Sequence, residues 1–191
     1  MIEVFDTAAA GIALARRKLG CPDCAGPLRP WGHARERTVR DLHGTSVTTR
    51  PDRALCPACG VTHVVLSAAL LPRRAYAARL IGQALVAAAR GSGHHRIAVD
   101  LDVPAGTVRG WIRGARRSAV ELRVTGIRTA VAFDQDAVPA PSGRGELGWA
   151  LECLGAAAVV TGRRLGLEHV SLWAMINVLT RGRLLDMTPA G

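Results

Sequence analysis

Cys21-Pro-Asp-Cys24 and, further along, Cys56-Pro-Ala-Cys59 decide how this chain is read. A C-x-x-C pair lets two thiolates take neighbouring corners of one tetrahedron. Two such pairs, brought together by a folded insert, complete a closed four-sulfur site for Zn2+. Pro22 and Pro57 follow the first Cys of each pair, and Gly26 and Gly60 lie just past the second. These residues suit the tight turn that aims backbone N–H groups at sulfur. A single C-x-x-C would serve as well for a redox pair, but two with these flanks point to structural zinc. The alternative is two unrelated reduced pairs, because a disulfide framework fits poorly with a long, apolar chain.

Between the two knuckles the residues are strand-like. Arg37-Thr-Val-Arg-Asp-Leu42 and Thr45-Ser-Val-Thr-Thr49 are β-rich runs around His43-Gly44, Pro51-Asp52 reads as the next turn, and Thr62-His-Val-Val-Leu66 follows the second knuckle. A module this small seldom stands without a metal, so zinc is expected to fold it. Residues 1–19 read as an N-terminal helix, spanning 4–19 in detail, and 20–70 as a zinc ribbon.

From Arg73 the period becomes helical. Leu80, Ala84 and Ala87, with Ile81, Leu85 and Ala88, sit at helical spacings, and Gly91-Ser-Gly93 stops the helix. A short helix from His94 to Leu101 is next, Asp102-Val-Pro104 breaks it, and a third begins with Pro near its first turn. That third helix runs past Arg117 towards Arg128. Residues 71–130 therefore read as a helix-turn-helix unit. Ile97, Ala98, Leu101, Val103, Val108, Trp111 and Ile112 are its expected inner residues, and Ala105, Gly106, Thr107, Arg109, Gly110 and Arg113 its outer face. Small residues let such a helix enter a major groove about 12 Å wide, where arginines reach guanine edges or phosphates. The duller reading is an ordinary three-helix core with a solvated basic face.

Residues 131–145 are a linker by composition, and 146–191 read as a C-terminal helical hairpin. Leu172, Met175, Ile176 and Leu179 lie on one side of its second helix, with Val170, Trp173 and Ala174 on the other. Such a helix must be enclosed by the preceding helices or by a second copy of the chain. A homodimer through residues 146–185 is the expectation. The fold class is mainly α, with a small β zinc ribbon, a three-helix unit and a helical hairpin.

Composition narrows the partners. All 25 basic residues except Lys18 are arginine, and the formal net charge of the 191 residues is +10. Four thiolates and one Zn2+ would leave about +8. An arginine-rich surface favours a phosphate-bearing partner. Arg73, Arg74, Arg96, Arg116 and Arg117 join Thr107, Arg109 and Arg113 as candidate contacts to double-stranded DNA. Paired arginines such as Arg163-Arg164 are otherwise more often solvated faces. His94 and His95 face either phosphate or simple solvent. His33, His43 and His63 lie in the ribbon, where four Cys already supply the ligands, so His63 reads as a packing or hydrogen-bonding residue. Cys153 reads as a buried structural thiol. Asp134, Asp136, Glu146 and Glu152 crowd into a linker and one helix, without the α/β core that a carboxylate metal site for phosphoryl transfer uses. No catalytic residues are assigned, and the chain reads as a non-enzyme. Glu3 and Asp6 stand where a signal peptide needs positive charge, and no run is long enough to span a bilayer. The expected location is cytoplasmic, at the nucleoid when DNA is bound.

Trp31-Gly-His-Ala-Arg35, Val39-Arg-Asp-Leu42, Cys56-Pro-Ala-Cys59-Gly-Val-Thr-His63 and Leu71-Pro-Arg-Arg74, in this order after the first knuckle, resemble the front end of bacterial insertion-sequence transposases. The chain looks closer still to a family of small high-GC bacterial proteins encoded beside transposases or integrases. The resemblance is good over about residues 20–117. It implies zinc at the four Cys, recognition of DNA ends or an operator by the third helix, and a transposase or integrase as a partner. The transposases' catalytic domain has no counterpart here. The expected function is sequence-specific DNA binding as an accessory or regulatory factor of a mobile element. A protein–protein adaptor that docks on a transposase or polymerase through its ribbon and tail is the alternative.

Overall fold

The computed structural model of the chain describes residues 1–141 and 143–186. Ser142 of the expected linker and residues 187–191 of the expected hairpin lie outside the described residues. About half of the structure is helix, and the strands form a small mixed sheet with a separate hairpin.

The N-terminal segment is not one helix. Ile2–Val4 forms β1, parallel to β6 (Thr62–Ser67), and Asp6 then caps α1 (Thr7–Ala15) by accepting the Ala9 N–H at 2.9 Å. Two further strands complete a sheet of order β1-β6-β5-β2: β2 (Arg29–His33) and β5 (Asp52–Leu55). The sequence hides both. Pro30 and Gly32 argue against a strand, yet β2 lies at the sheet edge with an irregularity between Pro30 and His33, where proline is tolerated. Asp52, expected in a turn, begins β5 opposite His33. The expected hairpin forms as β3 (Arg37–Arg40) and β4 (Ser46–Thr49), in register from Arg37–Thr49 to Arg40–Ser46. Ala10, Leu14, Leu28, Ala54 and Val65 bury together with Cys21 and Cys56, a core of few large side chains.

Helices α2 (Ala78–Ala89), α3 (His94–Leu101) and α4 (Ala105–Arg117) follow. Ile97, Ala98, Val103, Val108, Trp111 and Ile112 are buried as their spacing predicts. The third helix does not continue to Arg128; Ser118 separates α4 from α5 (Ala119–Phe133). The β3–β4 hairpin is tied to these helices by Arg40, 2.7 Å from Asp102 at the end of α3, and by Asp41, 2.6 Å from Arg79 of α2.

The stretch expected as a linker is the return path between two packed helices. Arg123 of α5 meets Glu146 of α6 (Gly145–Leu165) at 3.6 Å, Gly126 abuts Cys153, and Ala130 packs with Ala157. The contacts advance together along both helices, so α5 and α6 run parallel. The connection of about 11 residues can reach roughly 36 Å, more than the length of α5, about 22 Å. Trp149 steadies it by donating from Nε1 to the Pro139 carbonyl at 3.0 Å.

Nor does the tail form a separate unit. Leu147, Leu151, Leu154, Met175 and Ile176 share one buried cluster with Ile81, Leu85, Val108 and Trp111. The chain itself encloses α7 (Leu172–Leu179). Trp173 lies over Gly82 of α2, and buried Asn177 donates to the carbonyls of Ala68 and Leu70 at 2.9 and 3.2 Å. Ala174, Met175 and Ile176 are thus buried within one chain while Leu172 stays 44% exposed, so most of the helix needs no second copy to enclose it.

The α5–α6 contact supplies a stability test. A Cβ added at Gly126 would stand 2.6 Å from the Cys153 carbonyl carbon and 2.7 Å from the Leu154 nitrogen. Both are helix backbone, which cannot give way locally. Gly126→Ala is expected to cost about 1–3 kcal/mol in urea unfolding. Gly155→Ala, with nothing within 4 Å, is the control and should not destabilise.

Candidate functional site

The two knuckles are built alike. Ala25 N–H donates to the Cys21 carbonyl at 2.8 Å, as Gly60 N–H does to Cys56 at 2.9 Å. Cys21 N–H donates to the Gly26 carbonyl at 2.8 Å, as Cys56 N–H does to Val61 at 2.9 Å. The fifth position of each takes a left-handed backbone, at Ala25 (φ 59°) and Gly60 (φ 73°). Gly26 answers a different need. A Cβ there would stand 3.4 Å from both Cys24 Sγ and Cys56 Sγ and 3.2 Å from Ala58 Cβ.

This folding brings the four sulfurs together. Cys21 Sγ lies 3.8 Å from Cys59 Sγ, Cys24 Sγ lies 3.4 Å from Cys56 Sγ, and all four fall within 4.8 Å of one another. Cys21 and Cys56 are buried, whereas Cys24 and Cys59 are exposed. The cluster can hold a metal ion. Its protons are divided unequally. Backbone N–H from Cys59, set against desolvation, brings the Cys56 thiol down to about 7. The Gly26 N–H favours the Cys24 thiolate, but the thiols of Cys56 and Cys59 and burial outweigh it and push Cys24 up to about 12. Four thiolates at this range repel one another, so full ionisation needs a cation among them.

His63 has a larger part than its sequence position suggests. Only 3% exposed, it holds Nε2 3.4 Å from Cys21 Sγ and 3.8 Å from Asp23 Oδ2. Cys21, Asp23 and His63 make a second group of mutually close ligand atoms. The available signal was alternation along β6, which puts His63 and Val65 on one buried side. His33 and His43 belong to neither group; His33 faces Asp52 at 3.3 Å.

A second feature lies on the helices. Arg109, Arg113, Arg116 and Arg117 of α4 line a groove of about 520 Å³ with Gly93 and His94 at the start of α3. All four are exposed, and none has a carboxylate partner among the described residues. Gly106 and Gly110 share this outer side, and a Cβ at either would meet nothing within 4 Å. The other candidates lie elsewhere. Thr107 is half-buried, Arg96 faces Asp100 at 3.9 Å on α3, and exposed Arg73 and Arg74 lie on the connection to α2. Three arginines that sequence reasoning missed, Arg128, Arg181 and Arg183, line another groove of about 470 Å³ between α5 and the end of α7. Their separation in the chain hid it. Cys153 is buried, and desolvation raises its thiol pKa. No helix among the described residues is long and apolar enough to cross a membrane.

The model of a family described as a domain of unknown function, DUF6431, matches residues 21–111. That is just under half of the chain. The match begins at Cys21 and ends at Trp111, so it takes in all four clustered Cys, α2, α3 and the first half of α4. No curated protein and no solved structure matches the chain.

Proposed function

We propose that the chain is a zinc-containing, sequence-specific double-stranded DNA-binding protein. Residues 20–70 act as a zinc ribbon, and α2, α3 and α4 act as a helix-turn-helix unit whose α4 enters the major groove. Zinc suits the cluster because four thiolates are its usual closed structural set. Tetrahedral bonds of about 2.3 Å place sulfurs about 3.8 Å apart, close to the 3.8 and 3.4 Å found here. Such an ion would fix the knuckles and perform no chemistry.

The observation that carries the DNA reading is the outer side of α4. Glycine in a helix costs about 1 kcal/mol relative to alanine, and neither packing nor φ requires Gly106 or Gly110. A smooth strip flanked by unpaired arginines suits close approach to a polyanion. The role as accessory or regulatory factor of a mobile element, with a transposase or integrase nearby, rests on the order of the sequence motifs.

Selecting sites from a random duplex pool tests this. If Arg109 pairs with a guanine, Arg109→Ala should weaken the selected site by about 1–3 kcal/mol and relax one base pair. Loss of a phosphate contact at Arg116 or Arg117 should weaken all sequences alike and lower the log–log salt slope by about one. Should Arg109→Ala combined with Arg113→Ala leave binding unchanged, α4 is not the reader, and the adaptor reading takes its place.

A further inference from the structure

Helix α5 has two apolar sides, and only one of them is used within the chain. Ala119, Leu122, Gly126 and Ala130 are buried inward. Val120, Val124 and Val131 are 49%, 43% and 43% exposed, and Ile127 between them is half-buried. Their spacing of four, three and four is that of alternating d and a positions in a coiled coil, so they form one line along the helix. Single exposed valines are ordinary. Four β-branched residues aligned on one helix, where such residues are weak helix formers, make a seam without a partner.

We propose that this line is the interface of a homodimer, in which α5 packs against α5 of a second copy, antiparallel about a two-fold axis. The flanking charges select both partner and direction. Glu121 adjoins Val120 and Arg128 adjoins Ile127, one heptad further on, so the two lie on the same edge of the seam. Neither has an ion-pair partner among the described residues. In an antiparallel pair like edges face each other, so Glu121 of each protomer meets the partner subunit's Arg128, and the two-fold axis makes the contact twice. In a parallel pair Arg128 would instead face the partner's Arg123, a like charge. Arg123 is also already engaged, 3.6 Å from Glu146 and 4.4 Å above the Trp149 ring.

A seam of four residues per protomer is smaller than a standard interface of about 1,600 Å². The dimer is therefore weak, with dissociation in the range of about 1–100 µM.

The test is sedimentation equilibrium of the full, metal-loaded chain without DNA, over roughly 1–200 µM. The expected result is a monomer–dimer equilibrium that Val124→Glu abolishes, with far-UV circular dichroism unchanged because the site is exposed. Glu121→Arg and Arg128→Glu should each weaken the dimer about tenfold, since each turns two attractive pairs repulsive. The double variant should restore it. A monomer at every concentration overturns the proposal, as does a dimer indifferent to Val124→Glu. Failure of the double variant to recover the dimer overturns the antiparallel arrangement.

Discussion

Loss of the zinc proposed for the four-cysteine cluster is expected to unfold residues 20–70 and leave the helical signal from α2 onward largely intact. The reason is a difference between two cores. Within residues 20–70, Leu28, Ala54 and Val65 bury beside the cysteines together with Ala10 and Leu14 of α1, and Val39, Leu66 and Leu70 form a second small cluster with Ala77. Full burial of a Val or Leu contributes about 1.5–3 kcal/mol, so these few side chains cannot offset the ordering of a segment this long, at about 1–2 kcal/mol per residue. Structural zinc supplies about 10–16 kcal/mol in comparable small modules at neutral pH. The helices instead share a large cluster from Leu71 to Leu185 that includes none of the four clustered cysteines. Exposed Cys24 and Cys59 give a chelator access. One zinc per chain should be found in protein purified without chelator. EDTA, or Cys56→Ser with Cys59→Ser, should abolish it and collapse the amide resonances of the ribbon into an unfolded envelope. Zinc retained by the double variant would refute the assignment of ligands.

The helices were the legible part of this fold. Their signals are local: Ile81, Leu85 and Ala88 at helical spacing, Gly91 and Gly93 as a stop, Asp102-Val-Pro104 as a break. The clustering of the cysteines was legible as well, because C-x-x-C spacing fixes two sulfurs per turn before any tertiary structure is considered. Strands β1, β2 and β5 were not, since each depends on a partner far along the chain. Ile2 and Val4 are extended because β6 lies beside them, and Pro30 is acceptable only at an edge. The stretch 134–144 has a linker's composition, yet it serves as a crossover. Polar and glycine-rich residues mark irregular backbone, but they do not say whether the flanking helices separate or pack. The same limit applies to α7. Its apolar character was plain, but that Trp173 would settle on Gly82 rather than on a second copy is a tertiary fact. The seam on α5 is hard to read from sequence because Glu121, Arg123, Thr125 and Arg128 interleave with the inner and outer apolar residues and mask both periods.

Trp111→Ala is expected to cost about 3–5 kcal/mol of stability, while Arg109→Ala, two residues earlier on α4, should leave stability nearly unchanged. The two side chains sit on opposite sides of one helix. Trp111 is 4% exposed and meets Tyr76 edge-on, with ring centroids 5.0 Å apart, within the cluster that joins α2, α4 and α6. Truncation would remove a large ring and leave a cavity that neighbours on three helices cannot all close. A domain of this kind is stable by only about 5–15 kcal/mol, so the variant should show a much lower urea midpoint and a measurable unfolded fraction near physiological temperature. Trp111→Phe keeps an aromatic edge for Tyr76 and should lose less. The reverse holds for Arg109, whose solvated guanidinium has no carboxylate partner among the described residues; surface changes of this sort usually lie within about 0.5 kcal/mol. Binding supplies the second axis of the comparison. Measured in the cold, where Trp111→Ala is still folded, it should retain the base preference of the parent, whereas Arg109→Ala loses preference at one base pair. A Trp111→Ala protein with the parental midpoint and altered base preference would mean that the inner and outer sides of α4 have been assigned the wrong way round.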